Sequence, residues 1–322
     1  MGVSTDDIFG DAPGAQPATP GSYGQAPRGY RLPEGTRLGA VRLQIADLER
    51  SIAYYEETLG MRVLRRFGSG AVLGARRDDT PLVALQERAG ARPAPHRGRT
   101  GLFHFAILLP DRTSLGRFVR HVREIGARVG AADHLVSESL YLQDPDNLGI
   151  EVYADRPRSS WRRIGRELMM ATDPLDLVGL VRDAGTVSWT GMPGGTVMGH
   201  VHLRVADLAQ AAAFFSEALG FDRMVWQYPG ALFFAAGGYH HHLGTNTWAG
   251  GGASPPTAQE AQSLEWTIEL PDTASLDAAS QSLVRAGYRV EPEGEALVTR
   301  DPWGTPIRLQ PANTGYAASI GR

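Results

Sequence analysis

The chain has 322 residues, enough for about two domains of ordinary size, with 42% hydrophobic and 21% charged residues. A net charge of -3 removes the electrostatic ground for a nucleic-acid or anionic-membrane partner. Zero cysteines exclude disulfides and thiolate ligands, so any metal must be held by His, Asp or Glu.

No apolar run approaches the ~18 residues of a membrane span and no signal-peptide core is present. The expectation is a cytoplasmic protein with neither membrane nor nucleic-acid partner. Residues 1–35 are rich in Gly, Pro, Ala and Ser and poor in large apolar side chains. They read as a flexible lead-in, since little burial is on offer to offset ordering entropy.

From Leu38 a pattern begins and recurs. LGAVRLQIADLERSIAYYEETLGM alternates like a strand, shifts to helical spacing through Ile52, Tyr55 and Leu59, and stops at Gly60. MGHVHLRVADLAQAAAFFSEALGF repeats it from Met198, with Asp207 in the place of Asp47. FHFAILLPDRTSLGRFVRHVREIGARV and EWTIELPDTASLDAASQSLVRAGYRV form a second matching pair, in which Asp111 and Asp272 correspond. Asp144-Pro145 and Asp301-Pro302 mark turns before the last strands of two units. The spacing predicts an α+β chain of four βαβββ modules at 36–90, 100–156, 197–249 and 262–311. Modules 1 and 2 make a first repeat, 36–156. A connector, 157–196, leads to modules 3 and 4 in a second repeat, 197–311, and a tail, 312–322.

Five of the 9 histidines fall between Gly199 and Trp248. Strand alternation decides which of them can meet. Val201, Leu203 and Val205 make the packing side of one strand, leaving His200, His202 and Arg204 opposite. Phe103, Phe105 and Ile107 pack in module 2 and leave His104 opposite. Ile150 and Val152 leave Glu151 and Tyr153 on the polar side, where Tyr141 also falls between Leu140 and Leu142. In HHHLGTNTW, alternation groups His240, His242, Asn246 and Trp248 on one face, and His241 with Leu243 on the other. Two imidazoles and a carboxylate on concave faces suit the facial triad of non-heme iron oxygenases. Each histidine alone is as readily a hydrogen-bonded, half-buried residue of the core.

The modules resemble the vicinal oxygen chelate superfamily, which includes glyoxalase I, bleomycin-resistance proteins and type I extradiol dioxygenases, from about Leu38 to Gln310. GHVHL, GGYHHHLGTNTW, GLFHFAILLPDR and DHLVSESLYLQDPDNLGIEVYADRPR are most similar to two-repeat bacterial catechol-2,3-dioxygenases. The resemblance implies a metal held by His200, His104 and Glu151: Fe(II), with Mn(II) accepting the same set. It implies extradiol cleavage of a catechol with O2, giving a 2-hydroxymuconic semialdehyde-type product, in a homo-oligomer. It casts His242 as the base, with His134 and Tyr141 hydrogen-bonding to substrate oxygen. His202, His240, Asn246 and Trp248 become substrate-contacting candidates.

The pattern departs from the family in the other half of each repeat. Ala40 stands for His200, Trp266 for His104 and Arg308 for Glu151, so that half is expected to be metal-free. Because the triad draws on modules 2 and 3, the resemblance implies two open barrels paired crosswise, 2 with 3 and 1 with 4, the alternative being a site assembled between two chains. The rival activities are a glyoxalase-like isomerase with four protein ligands and a metal-free, bleomycin-resistance-like binding protein.

Overall fold

The structure, a computed structural model, describes residues 3–10 and 14–312. A short helix α1 (Thr5–Phe9) and strand β1 (Gln16–Pro17) precede the first module. Module 1 is β2 (Arg37–Ile45), α2 (Leu48–Glu57), β3 (Arg62–Phe67), β4 (Gly70–Gly74) and β5 (Pro81–Glu87). Module 2 is β6 (Gly101–Leu108), α3 (Arg112–Glu124), β7 (Gly130–Asp133), β8 (Ser137–Gln143) and β9 (Gly149–Asp155). The connector carries β10 (Arg162–Ile164), β11 (Glu167–Leu168) and α4 (Leu177–Asp183). Module 3 is β12 (Val197–Arg204), α5 (Leu208–Ala211) continued by a π-helical stretch Ala212–Ala218, β13 (Asp222–Val225), β14 (Ala231–Ala235) and β15 (Leu243–Asn246). Module 4 is β16 (Gln262–Leu270), α6 (Thr273–Arg285), β17 (Val290–Glu293), β18 (Ala296–Arg300) and β19 (Pro306–Pro311).

The repeated aspartates explain where the four module helices start. Asp47, Asp111, Asp207 and Asp272 are N-caps, and each carboxylate accepts the backbone N–H three residues on, from Arg50, Ser114, Gln210 and Ser275. That bond satisfies one of the helix's orphan donors. The Asp-Pro turns are built alike. Asp144 accepts from the Asp146 and Leu148 N–H groups, and Asp301 from those of Trp303 and Thr305.

Two eight-stranded sheets result, in the orders β13-β14-β15-β12-β6-β9-β8-β7 and β17-β18-β19-β16-β2-β5-β4-β3. The first joins module 3 to module 2 through the antiparallel β12–β6 pair, and the second joins module 4 to module 1 through β16–β2. The barrels are therefore paired crosswise. One apolar cluster packs the strands against the helices in both, from Val41 and Leu43 through Phe105 and Val201 to Trp266.

The lead-in differs from the expectation of a flexible segment. Ser4 caps α1, Thr5 Oγ1 donates to Asp173, and β1 joins β10 and β11 in a small sheet. Tyr23 is buried and donates to the Gly238 carbonyl at 2.6 Å, while Gln25 bridges to Arg223. A few well-placed anchors and backbone bonds supply what average composition does not reveal. Of the tail, only Ala312 lies within the described residues.

Candidate metal centre and active cavity

Sheet register brings the three expected ligands together. Across β12, β6, β9 and β8 one ladder row reads His200, Ala106, Glu151, Tyr141. The small Ala106 side chain leaves room for His200 and Glu151 to lean toward each other. His104 sits two residues earlier on β6, opposite His202. His200 Nε2 and His104 Nε2 each lie 3.0 Å from Glu151 Oε2, and the other carboxylate oxygen accepts from Ser139 Oγ at 2.6 Å. The three donor atoms fall within 4.8 Å of one another, and all three residues are buried.

The electrostatics suit a divalent cation. Burial pushes the His200 imidazole down to about 4, against the raising effect of Glu151. Burial alone would raise the Glu151 carboxyl, but His200 and His104 beside it outweigh that and hold it well below its ordinary range. A neutral His200 beside an ionised Glu151 leaves a buried negative charge in need of a cation. His104 Nε2 is buried and close to the carboxylate, yet makes no hydrogen bond. Two imidazoles and one carboxylate converging in this way can hold a metal on one side and leave its other side open.

The donors open into a cavity of about 590 Å³. His134 and Tyr141 lie on one wall, with His134 Nδ1 2.6 Å from the Ala171 carbonyl and its Nε2 2.5 Å from Tyr141 Oη. A carbonyl only accepts, so Nδ1 donates to Ala171, while Nε2 and the Tyr141 hydroxyl share a single hydrogen. Burial, then the neighbouring Glu151 charge, raises the Tyr141 phenol well above its ordinary value. His202 also lines the cavity, with its ring 5.0 Å from that of His104; burial pushes its pKa well down, and its Nε2 has no partner among the described residues. Gly244 pairs with His202 on the next strand, where a Cβ would stand 2.9 Å from the imidazole. Trp248, 43% exposed, closes one edge and packs against Phe103.

Four placements in and just before β15 differ from the sequence expectation. His242 lies outside this cavity: it lines a separate cleft, and its Nδ1 accepts the Ala236 N–H at 3.2 Å. His240 is fully buried behind the wall, held by Asp155 at 2.8 Å. His241 lines the cavity instead, its ring 4.0 Å from that of His200. Alternation failed because the three histidines precede β15. They follow a turn at Gly237 and Gly238, both at positive φ, so the strand's period does not extend back to them. Asn246 is likewise buried away from the cavity, its Oδ1 accepting the Trp248 N–H at 3.0 Å.

Phe103, expected on the packing side, also lines the cavity. The β12–β6 register slips between His202 and Leu203, and the resulting bulge turns Phe103 and His104 to one side. Met170, Ala171 and Thr172 of the connector, with Tyr228 and Phe233 of module 3, complete the walls. Only the double glycine ahead of the histidine run could have warned of the first error; the connector residues carry no sequence signal.

The sibling barrel replaces the same constellation with an ion pair. Thr267 pairs with Arg308 as Ala106 pairs with Glu151, so the residue standing for His104 is Glu265, and Trp266 is its buried neighbour on the packing face. Arg308 Nε donates to Glu265 Oε1 at 2.8 Å. A guanidinium and a carboxylate thus occupy positions that carry Glu and His in the other barrel.

The Glyoxalase/Bleomycin resistance protein/Dioxygenase superfamily model matches residues 37–152 and 197–309. The chain is 44% identical over 274 residues to a protein of Bacillus subtilis (strain 168) named catechol-2,3-dioxygenase, covering 84% of this chain and 95% of that one. Among solved structures, one from Bacillus subtilis subsp. subtilis str. 168 aligns with a TM-score of 0.63 at 13% identity, covering 89% of this chain and 88% of its own. Glyoxalase I from Zea mays aligns with a TM-score of 0.53 at 19% identity, over 88% and 95%. At such identities the two structures bear on the fold alone.

Proposed function

The chain belongs to the glyoxalase/bleomycin resistance protein/dioxygenase superfamily, and from that premise we propose that it is an extradiol dioxygenase acting on a catechol with O2. The observation that carries the reading is the meeting of His104, His200 and Glu151 at a cavity that also presents His241, His134 and Tyr141. The 44% identity to a catechol-2,3-dioxygenase supports the same class. Fe(II) is the proposed metal, and bound there it would supply a Lewis-acidic centre able to relay electrons from a catechol to O2.

This chain's residues do the rest. His104, His200 and Glu151 hold the metal from one side. Phe103, Phe233, Met170 and Trp248 give the cavity apolar walls suited to an aromatic ring. His241 is the proposed base, replacing His242, because it lines the cavity with its ring 4.0 Å from that of His200. Tyr141 and His134, bonded to each other on the cavity wall, are placed to hydrogen-bond to substrate oxygen. An isomerase built on four ligands finds less support, because the donor group among the described residues has three members.

The test is direct. Protein loaded anaerobically with Fe(II) is mixed with catechol and exposed to air. A yellow ring-opened semialdehyde is the expected product. Full iron occupancy with no colour from catechol or any substituted catechol would defeat the proposal.

A further inference from the structure

Behind the cavity wall runs a bonded series of side chains that the chemistry above does not use. His240, fully buried, sets its Nε2 2.8 Å from Asp155 Oδ1 and its Nδ1 2.7 Å from Nδ1 of His241. Tyr239 donates to the same Asp155 oxygen at 3.1 Å and lies 2.7 Å from Tyr153 Oη. The His240 ring is clamped between Tyr239, 4.0 Å away between centroids, and Trp161, at 5.5 Å. Both of its nitrogens are therefore engaged and its orientation is fixed.

The directions of these bonds follow from donor chemistry. A carboxylate only accepts, so His240 Nε2 carries a proton toward Asp155. In the neutral form of His240, Nδ1 is then a lone pair. Two Nδ1 atoms 2.7 Å apart need one hydrogen between them, and it must then belong to His241. His241 Nε2 is left bare on the residue that lines the cavity beside His200.

We propose that Asp155 and His240 are positioning residues that hold His241 in the tautomer whose Nε2 lone pair serves the cavity. The proposal rests on the extradiol reading for its consequence in turnover, but not for the tautomer itself. Without His240, His241 is free to place its single proton on Nε2, the form that cannot accept a proton there. The arrangement joins the two repeats, since Asp155 ends module 2 while His240 and His241 belong to module 3.

The experiment is ¹⁵N NMR of the histidine rings in full-length protein without added metal, with His241 identified by the signals lost in His241→Asn. Wild-type protein should show His241 protonated at Nδ1 and bare at Nε2, a result that needs no variant to fold. His240→Phe should shift His241 toward the Nε2-protonated form. His240→Asn, whose amide oxygen can accept near the position of Nδ1, should restore the wild-type pattern. In Fe(II)-loaded enzyme His240→Phe should lower kcat by about 10- to 100-fold with KM within about twofold, and His240→Asn should recover most of it. A wild-type His241 protonated at Nε2, or a tautomer indifferent to His240, overturns the inference. The expected tautomers without turnover of any catechol would uphold the positioning role and defeat the dioxygenase reading instead.

Discussion

His200 and Glu151 stand 49 residues apart and in different repeats, yet His200 Nε2 lies 3.0 Å from Glu151 Oε2. The contact exists because module 3 joins module 2 rather than module 4, its partner within the same repeat. Each of His104→Ala, His200→Ala and Glu151→Gln should therefore remove bound iron and lower turnover by more than about 100-fold. Arg308→Ala in the sibling barrel should leave iron stoichiometry unchanged. Metal analysis of each purified variant checks this. Retention of a full equivalent of iron by Glu151→Gln would argue against the proposed ligand set.

The neighbours His241 and His242 separate a cavity role from a structural one. His241→Asn should keep its iron and lower kcat by about 10²- to 10⁴-fold, the usual scale for losing an acid–base group. His242, pushed down to about 3 by burial, only accepts a backbone N–H among the described residues. His242→Asn preserves an acceptor and should stay within about threefold of wild-type turnover. Steady-state rates on one catechol suffice, and the reverse order of effects would restore His242 as the base.

Much of this was legible in the chain because two periodicities repeat. Asp47, Asp111, Asp207 and Asp272 mark helix starts that recur, and alternation around His104, His200 and Glu151 assigns all three to concave faces. Alternation was silent where the backbone leaves the strand. The turn at Gly237 and Gly238 exchanged the roles of His241 and His242, and a bulge turned Phe103 inward. The connector's Met170 to Thr172 reach the cavity through tertiary packing, which no local pattern encodes.

The Arg308–Glu265 pair makes a stability prediction for the barrel without the triad. Both side chains are under 10% exposed, at 4% and 9%, and Arg308 also pairs with the half-exposed Glu293. Arg308→Met leaves the Glu265 charge buried beside an apolar chain and should cost about 3–5 kcal/mol. Adding Glu265→Gln removes that charge and should recover most of the loss. Urea unfolding of the two variants measures the coupling. A double variant no more stable than Arg308→Met would show that the lost stability lies in guanidinium packing instead.

Asp144 makes a prediction about pH. Burial raises its carboxyl to about 7, aided by the neighbouring Asp146 charge and opposed by hydrogen bonds from the Leu148 and Asp146 N–H groups. A folded-state value above the unfolded one means the native protein binds this proton more tightly. Its contribution is fully present below about pH 4 and is lost as pH rises toward 7, by up to about 4 kcal/mol. Asp144→Asn keeps an oxygen to accept the two backbone N–H groups and offers its amide to Tyr55 Oη, the present partner of the carboxyl at 3.4 Å. The variant should match wild type near pH 4 and exceed it in stability at pH 8. Denaturant unfolding at pH 4, 6 and 8 gives the comparison. Parallel stability profiles for the two proteins would mean that Asp144 is ionised in the folded state across the whole range.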